Sequence, residues 1–366
     1  MNPFSASRIT ESAFNFEPEL QRLDEHFSLL KLYHGPTGTF KDFGMAFLAA
    51  VMEELLKNNG PALVLSASRG NTGLSIAHAF YQRRNIVSVI LYPSGTIRGI
   101  DPETLITNGG SIIPIQINGN FDDCQRLIRN ILEDHTFSYR YRATTANSLN
   151  IGRLLPQSLY YLFAFVKLKQ EINSDFVFSV PTGNCGNLIS GLYAWKFGMP
   201  VNGFIAAMNQ NKPFDIFGTG IESSNRKSVA TYSPAIDVSF PSNRERLGFF
   251  YDEAPAVMHN MVFPTVVTDS ETAEAMQEIR KRYGIVVDPH TAVAFAAAQH
   301  FPCTDEAHII VLATGHPARE SAMVEQITGT TVDIPPRLAI LSKESEPITR
   351  IEPDLEALEG AIASCF

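Results

Sequence analysis

The segment Phe176–Phe197 reads FVFSVPTGNCGNLISGLYAWKF and contains three patterns in succession. Residues 176–181 are mostly apolar and rich in phenylalanine and valine, which predicts a buried strand. Thr182–Asn187 is rich in glycine and asparagine and predicts a turn, and residues 188–197 have the spacing of a helix. A strand that leads through a short turn into a helix is the repeating unit of a parallel sheet, so the segment predicts an α/β fold.

The same order of elements recurs at residues 62–84 and again from residue 308 onward. In a parallel sheet, turns of this kind lie at the carboxyl ends of the strands, where ligands bind. Three such turns therefore predict one ligand site. Strands and helices alternate along the rest of the chain as well, with candidate strands at 87–92 and 111–117 and candidate helices at 122–133, 154–170, 270–283 and 291–300.

The composition of the chain is that of a globular protein. It has 366 residues, of which 45% are hydrophobic and 18% charged, enough for two domain cores. A net charge of −9 disfavours nucleic acid and membranes as partners, so any anionic ligand must be bound by local groups. No apolar run approaches the roughly 20 residues of a membrane-spanning helix. The four cysteines are widely spaced, so we expect a cytoplasmic protein without a structural metal.

The stretch His34–Gly44, HGPTGTFKDFG, places Lys41 between two phenylalanines at the start of an apolar helix. A desolvated lysine loses its proton more readily, and its amine can then form a Schiff base. A surface lysine at the start of a helix fits the same pattern. The residues alone leave both interpretations open.

The turn Thr182–Asn187 has two glycines three residues apart, between a strand and a helix. Such a turn folds tightly, so that backbone N–H groups and the helix N-terminus face one anion. An ordinary tight turn explains the pattern equally well. The spacing matches neither the dinucleotide motif GxGxxG nor the phosphate loop GxxxxGK[ST], which disfavours NAD and ATP.

A second turn, Ser66–Gly73, also joins a strand to a helix. Its Asn71 and Thr72 side chains are candidates to hydrogen-bond a ligand while the turn amides bind a carboxylate. The alternative is a helix-capping motif, with Thr72 or Asn71 as the N-cap residue.

Two further groups of polar residues are candidate ligands. Arg153 offers a planar guanidinium for a phosphate, and Asn147 and Ser148 precede it by five to six residues. A helix cap with a surface arginine accounts for the same pattern. Thr314 follows a candidate strand and offers a hydroxyl to a ring nitrogen, although threonine at a strand end is often structural.

Together and in this order, the segments resemble the threonine synthase family, pyridoxal-phosphate enzymes of the tryptophan-synthase-β-like class. HGPTGTFKDFG is similar to the cofactor-lysine motif of that family, and PTGNCGN to its phosphate-cradle motif. The resemblance extends from about His34 to Leu338 and implies fold type II, with two open, twisted, mostly parallel sheets flanked by helices. Other segments similar to the family are SASRGNTG, LYPSG, NGNFDDCQ, NSLNIGRLLPQSLYY, DPHTA and ATGHPAR.

The resemblance also implies two domains that are not consecutive along the chain. Residues 34–56 and 151–366 would form a large cofactor-binding domain. Residues 57–150 would form a smaller mobile domain that closes over the substrate, and residues 1–33 a short N-terminal segment.

The activity that the resemblance implies converts O-phospho-L-homoserine and water to L-threonine and phosphate by β,γ-elimination and replacement, with pyridoxal phosphate as cofactor. Lys41 would hold the cofactor as a Schiff base and move protons as a general base and acid. Asn71 would bind the phenolic oxygen of the cofactor, and Thr314 its pyridine nitrogen. The cofactor phosphate would be bound by Gly183, Asn184, Cys185, Gly186 and Asn187.

The small phosphorylated amino-acid substrate needs a local anion site, given the acidic net charge. The expected ligands are Ser68, Arg69, Gly70, Thr72, Asn147, Ser148 and Arg153. Arg69 stands where family members commonly have serine or threonine. A related phospho-amino-acid lyase that yields an oxo-acid therefore stays an alternative, as does a non-catalytic cofactor-binding paralogue.

Cys185 is another departure, since an aromatic residue is usual at this position of the family. Next to a phosphate and a helix N-terminus, we expect the pKa of its thiol to fall. The sequence leaves the oligomeric state open between a monomer and a homodimer.

Overall fold

The structure is a computed structural model that describes residues 3–68, 70–95, 97–98, 111–172, 175–212, 228–302, 306–342, 344–345 and 349–364. The chain divides into two compact units. The first unit comprises Met1–Asn15, Lys41–Arg153 and Pro335–Phe366, and the second comprises Phe16–Phe40 and Leu154–Ile334. Among the described helices, none is both long enough and apolar enough to span a membrane.

Strands and helices alternate along the described residues. The strands are β1 (Glu19–Arg22), β2 (Phe27–Lys31), β3 (Ala62–Ala67), β4 (Ile86–Tyr92), β5 (Ile97–Arg98), β6 (Ile112–Ile117), β7 (Thr144–Thr145), β8 (Asp175–Pro181), β9 (Gly203–Met208), β10 (Val262–Val266), β11 (Ala307–Ala313), β12 (Glu344–Ser345) and β13 (Thr349–Ile351). The α-helices are α1 (Pro3–Ala13), α2 (Lys41–Leu55), α3 (Asn71–Phe80), α4 (Phe121–Glu133), α5 (His135–Tyr141), α6 (Ile151–Leu154), α7 (Ser158–Leu168), α8 (Gly186–Lys196), α9 (Arg244–Glu253), α10 (Pro255–Met261), α11 (Asp269–Tyr283), α12 (Pro289–Gln299), α13 (Ser321–Thr328) and α14 (Leu355–Ala363). Short 3₁₀ helices lie at Leu155–Gln157, Pro234–Ile236, Pro317–Glu320 and Pro336–Ser342.

The first unit is built on a parallel sheet with the strand order β13-β6-β4-β3-β7. All six residues of β3 are buried, because helices cover both faces of the sheet. Val64 packs with residues of α2 and α3, whereas Leu63 and Leu65 pack with residues of α4 and α14. The alternation of side chains along the strand therefore supplies both cores.

The second unit is built on a sheet with the strand order β1-β2-β11-β8-β9-β10. Only the β1–β2 pair is antiparallel among its described pairings. The strands β8 and β11 are direct neighbours, with Ser179 paired to Val311. Because they run in parallel, the turns that follow Pro181 and Ala313 lie at the same edge of the sheet.

Helix ends follow the capping chemistry of the sequence. Asn120 accepts hydrogen bonds from the N–H groups of Asp122 and Asp123 at the start of α4, and Asp123 bonds back to the N–H of Asn120. Thr268 and Glu271 form the same reciprocal arrangement at α11. These capping boxes fix where both helices begin.

The predicted fold class is confirmed, with two mostly parallel sheets flanked by helices. The predicted helix at 154–170 is divided, since α6 leads into a 3₁₀ turn that contains Pro156 before α7 begins. Proline lacks an N–H and disfavours the helical conformation in the residue before it, which accounts for the division.

The bounds of the units differ from the predicted domain bounds. The predicted N-terminal segment 1–33 is split, since Met1–Asn15 belongs to the first unit and residues 16–33 to the second, and residues 151–153 belong to the first unit. Helix α2 belongs to the first unit, because its buried face packs against α1 and α3. Residues 335–366 also belong to the first unit, where β13 pairs with β6 and Leu358 and Ile362 of α14 join its core. That the smaller domain closes over the substrate stays a prediction.

Candidate functional site

The turn that follows β8 brings the backbone unusually close to a neighbouring segment. A Cβ atom on Gly183 would lie 2.7 Å from the Cα of Ile236 and 3.0 Å from its carbonyl oxygen. Real Cβ atoms essentially never approach backbone atoms so closely, so glycine is required here. The glycine that the sequence singled out is therefore a packing requirement of the turn.

Helix α8 begins directly after the turn. Its N-cap residue, Cys185, has a left-handed backbone with φ of 59° and makes no side-chain cap hydrogen bond. The first N–H groups of a helix have no partner within the helix. Their positive partial charge favours an anion at this end.

Asn184 is held in place by a neighbouring loop. Its Oδ1 accepts the N–H of Ser242 at 2.5 Å, and its Nδ2 donates to the Ser242 hydroxyl at 2.7 Å. The Asn184 carbonyl accepts from Asn243 at 3.0 Å. The side chain therefore fixes the shape of the turn through protein contacts.

Asn187 lies in the first turn of α8 and is buried. Its Oδ1 accepts hydrogen bonds from the hydroxyls of Tyr160 at 2.5 Å and Tyr161 at 2.9 Å. Its Nδ2 is buried and has no hydrogen-bond partner among the residues that the structure describes. A buried amide nitrogen of this kind is available to donate a hydrogen bond to a bound acceptor.

Gln157 presents a second buried amide near the same helix. Its Oε1 lies 3.1 Å from the hydroxyl of Ser190, which also lies 3.0 Å from the carbonyl oxygen of Leu154 and 2.9 Å from that of Gly186. Within the part of the chain that the structure describes, its Nε2 is buried without a hydrogen-bond partner. The prediction of site residues missed Gln157, although the motif NSLNIGRLLPQSLYY that resembles the family contains it.

The end of β11 lies at the same sheet edge. Thr314 is 8% exposed, and its carbonyl accepts the N–H of Phe40 at 3.0 Å. Phe40 is the residue directly before Lys41 in the chain. A Cβ on Gly315 would lie 2.8 Å from Oδ2 of Asp288, so the strand end packs closely on the start of α12.

Asp288 and His290 form a buried pair that the sequence did not assign. His290 Nε2 accepts the N–H of Ala235 at 3.0 Å, so Nδ1 carries the proton and donates to Asp288 at 2.6 Å. Burial raises the pKa of the Asp288 carboxyl, but its contacts with His290 and Thr291 outweigh burial and lower that pKa. Ala235 precedes Ile236, which lies against Gly183. The pair therefore supports the glycine-rich turn.

The expected reactivity of Cys185 is wrong. Its side chain is 3% exposed, and Sγ lies 3.6 Å from the carbonyl oxygen of Gly183. Burial raises the pKa of the thiol. The uncharged thiol is favoured because burial penalises the charged thiolate.

In the first unit, Lys41 is the first residue of α2 and is partly buried. Asp42, Phe43 and Met45 of the same helix are buried. The predicted position of the lysine, at the start of an apolar helix, is confirmed.

The turn that follows β3 is organised by Ser68. Its hydroxyl oxygen accepts the N–H groups of Gly70 at 3.0 Å and Gly73 at 2.6 Å. Gly70 is the N-cap position of α3 and provides no side-chain cap, so the predicted caps at Thr72 and Asn71 are wrong. Thr72 is partly buried. Arg69 and the side chain of Asn71 lie outside the described residues.

Asn147 and Arg153 lie beside this turn within the first unit. Asn147 bonds both backbone groups of Ala67, accepting its N–H and donating to its carbonyl, each at 2.9 Å. Arg153 is 5% exposed and donates to the carbonyl of Ala146 at 3.0 Å, so it is not a surface arginine. Ser148 is also buried. Within the first unit, the structure thus places Ser68, Asn147 and Arg153 around the end of β3. Within the second unit, it places the turn Thr182–Asn187 and Thr314 at one edge of the sheet.

Comparison with known proteins identifies the class. Residues 17–315 match the family described as "Pyridoxal-phosphate dependent enzyme", and residues 291–362 match the family described as "Threonine synthase, C-terminal". Threonine synthase of Escherichia coli (strain K12) is 37% identical over 328 residues, which make up 90% of this chain and 76% of that protein.

Solved structures agree with these matches. The crystal structure of threonine synthase from Escherichia coli has a TM-score of 0.86 at 35% identity and covers 98% of this chain and 82% of that chain. The pyridoxal-phosphate-bound threonine synthase from Brucella melitensis has a TM-score of 0.85 at 28% identity, with 99% and 84% covered.

The fold, the glycine-rich turn and these similarities define a pyridoxal-phosphate-dependent enzyme of fold type II. Its cofactor, as predicted, is pyridoxal phosphate. Within this class, the chain belongs to the threonine synthase family. The substrate of a threonine synthase is a small phosphorylated amino acid.

Proposed function

We propose that this chain converts O-phospho-L-homoserine and water to L-threonine and phosphate. The observation that carries the proposal is the group of donors after β8. There, the start of α8, which has no side-chain cap, lies beside two buried amide nitrogens, on Asn187 and Gln157, that have no partner in the described part of the chain. Such donors fit a phosphate group, which pyridoxal phosphate carries.

Pyridoxal phosphate, when bound, supplies an electron sink that stabilises negative charge on the substrate carbons. Lys41 would hold the cofactor through Nζ. Its amine would act as a general base toward the α-proton and a β-proton of the substrate, and as a general acid toward the γ- and α-carbons. The position of Lys41 at the start of the apolar helix α2, where it is partly buried, supports this role.

Two further residues bind the ring of the cofactor in this proposal. Thr314 binds the pyridine nitrogen, and Asn71 binds the phenolic oxygen. The hydroxyl of Thr314 does not enforce a protonated nitrogen as a carboxylate would, which suits elimination and replacement. The buried position of Thr314 at the carboxyl end of β11 supports its assignment. The cofactor phosphate is bound by Gly183, Asn184, Cys185, Gly186 and Asn187.

The cluster after β3 binds the anionic groups of the substrate. Arg153 stabilises the phosphate as the bond between the γ-carbon and its oxygen breaks, since fixed positive charge favours a departing anion. The γ-carbon then takes up a proton, water adds its hydroxyl group at the β-carbon, and the α-carbon regains a proton, which gives threonine. Asn147 shapes the turn through its two hydrogen bonds to Ala67. The proposed members are Ser68, Arg69, Gly70, Thr72, Asn147, Ser148 and Arg153.

A substrate panel tests this proposal. Phosphohomoserine, phosphoserine and phosphothreonine are supplied separately, and threonine, phosphate and oxo-acid are all quantified. We expect threonine and phosphate in equal amounts from phosphohomoserine alone, and no product with Lys41→Ala. Phosphate released with an oxo-acid, or without threonine, would show a different lyase.

We also propose a cytoplasmic location, which the widely spaced cysteines support. Cell fractionation followed by an activity assay tests it. Activity recovered in the membrane or secreted fraction contradicts it.

A further inference from the structure

Helix α7 and the 3₁₀ turn before it place three polar side chains against the start of α8. Gln157 ends the 3₁₀ turn, and Tyr160 and Tyr161 lie in the first turn of α7. All three are at most 2% exposed. Buried hydroxyls and amides are retained where each has a defined partner, so their arrangement needs an explanation.

The two tyrosines converge on one atom. Both hydroxyls donate to Oδ1 of Asn187, at 2.5 Å and 2.9 Å, and Tyr161 also lies 3.0 Å from the Asn187 carbonyl oxygen. Burial raises the pKa of the Tyr161 phenol, so the hydroxyl keeps its proton and stays a donor. Two donors on one side of the amide occupy its oxygen and direct its nitrogen to the opposite side.

The side-chain nitrogen of Asn187 has no hydrogen-bond partner within the described ranges. If the amide were turned over, its oxygen would face that side, which an anion would disfavour. Hydrogen bonds to the oxygen also polarise the amide and strengthen its N–H groups as donors. The geometry therefore prepares Asn187 to donate to an anion at the start of α8.

Gln157 presents a second amide beside α8. Its Oε1 lies 3.1 Å from the hydroxyl of Ser190, which also lies 2.9 Å from the carbonyl oxygen of Gly186 and 3.0 Å from that of Leu154. Its Nε2 is buried and has no hydrogen-bond partner among the described residues. Two amide nitrogens thus lie near the start of the same helix and are available to an acceptor.

We propose that Tyr160 and Tyr161 are positioning residues that orient Asn187 toward the phosphate of the cofactor, and that Gln157 supplies a second amide donor to it. This inference rests on the proposed function only in taking the anion to be the cofactor phosphate. It assigns the tyrosines a role through Asn187, without contact to the reacting atoms.

Equilibrium binding of pyridoxal phosphate and of pyridoxal to the cofactor-free protein tests the inference, because pyridoxal lacks the phosphate. We expect Tyr160→Phe and Tyr161→Phe each to raise the dissociation constant of pyridoxal phosphate about tenfold and to leave that of pyridoxal unchanged. Gln157→Leu is expected to have a similar effect. Asn187→Asp keeps an acceptor for the tyrosines but removes the donor, so the affinity for pyridoxal phosphate should fall more than a hundredfold.

The matched control is Tyr193→Phe, the same substitution on α8 at a ring that packs against Phe197 and Phe250. It should bind both compounds like the wild type. The inference would be overturned if the tyrosine variants bound pyridoxal phosphate and pyridoxal equally more weakly than the wild type. It would also be overturned if they bound both compounds with the affinity of the wild type. The proposed function fails separately, if the wild type forms no threonine from phosphohomoserine.

Discussion

The substitution Gly183→Ala tests how the glycine-rich turn is held. Its Cβ would lie 2.7 Å from the Cα of Ile236, whereas carbon atoms pack best at about 3.5–4.0 Å. The backbone of the turn or of the 3₁₀ helix Pro234–Ile236 must then move by about 1 Å. Overpacking of this kind costs about 1–3 kcal/mol of unfolding free energy. The turn also loses its shape, so we expect the affinity for pyridoxal phosphate to fall at least tenfold.

The control is Gly248→Ala in helix α9 of the same unit, where a Cβ would have no atom within 4 Å. Alanine is the better helix former by about 1 kcal/mol, so this variant should be slightly stabilised. Denaturant unfolding of the cofactor-free proteins measures both stabilities, and cofactor titration measures the affinities. If Gly183→Ala had the same unfolding free energy and the same cofactor affinity as Gly248→Ala, the close approach of Gly183 to Ile236 would be refuted.

Three further predictions concern groups whose environment the structure defines. Cys185 should resist alkylation in the native protein at pH 8, because it is buried and the pKa of its thiol is raised; stoichiometric labelling before unfolding, measured by mass spectrometry, would contradict this. Asp288→Asn should lower the unfolding free energy at pH 7 by about 1.5–3 kcal/mol, because the charged acceptor for His290 is lost. Since the folded-state pKa of Asp288 is lowered, the stabilisation by its carboxylate is present above about pH 4 and is lost at more acidic pH. The unfolding free energies of the wild type and of Asp288→Asn should therefore converge at acidic pH. A difference between them that is the same at pH 3 and pH 7 refutes this prediction. Asn147→Ala should lower the unfolding free energy by about 2 kcal/mol, because two hydrogen bonds to Ala67 are lost. The control Asn118→Ala removes an exposed hydrogen bond and should change the unfolding free energy by less than about 0.5 kcal/mol. Equal effects of the two substitutions in denaturant unfolding would contradict the role of Asn147 in holding the backbone of Ala67.

Local patterns predicted the elements around the site closely. The strand expected at 176–181 is observed as β8, and the helix expected at 188–197 is observed as α8, which begins two residues earlier and ends one residue earlier. Such elements depend on the period of apolar residues and on turn residues, both of which are visible in a single sequence. Pro156, which divides the helix expected at 154–170, was equally visible.

Contacts between distant segments could not be predicted in this way. The placement of residues 335–366 depends on pairing of β13 with β6, more than 200 residues earlier in the chain. The meeting of Asn187 with Tyr160 and Tyr161 depends on how α7 packs on α8. The pKa of Cys185 likewise depends on burial, which the charge pattern of its neighbours does not reveal.

The reaction in ¹⁸O-labelled water tests the central claim most directly. If the carbon–oxygen bond of the substrate breaks and water adds at the β-carbon, one ¹⁸O atom appears in the hydroxyl of threonine and none in the released phosphate. Mass spectrometry of both products measures this, and Lys41→Ala should give neither product. Label in the phosphate, with homoserine as the other product, would contradict the account.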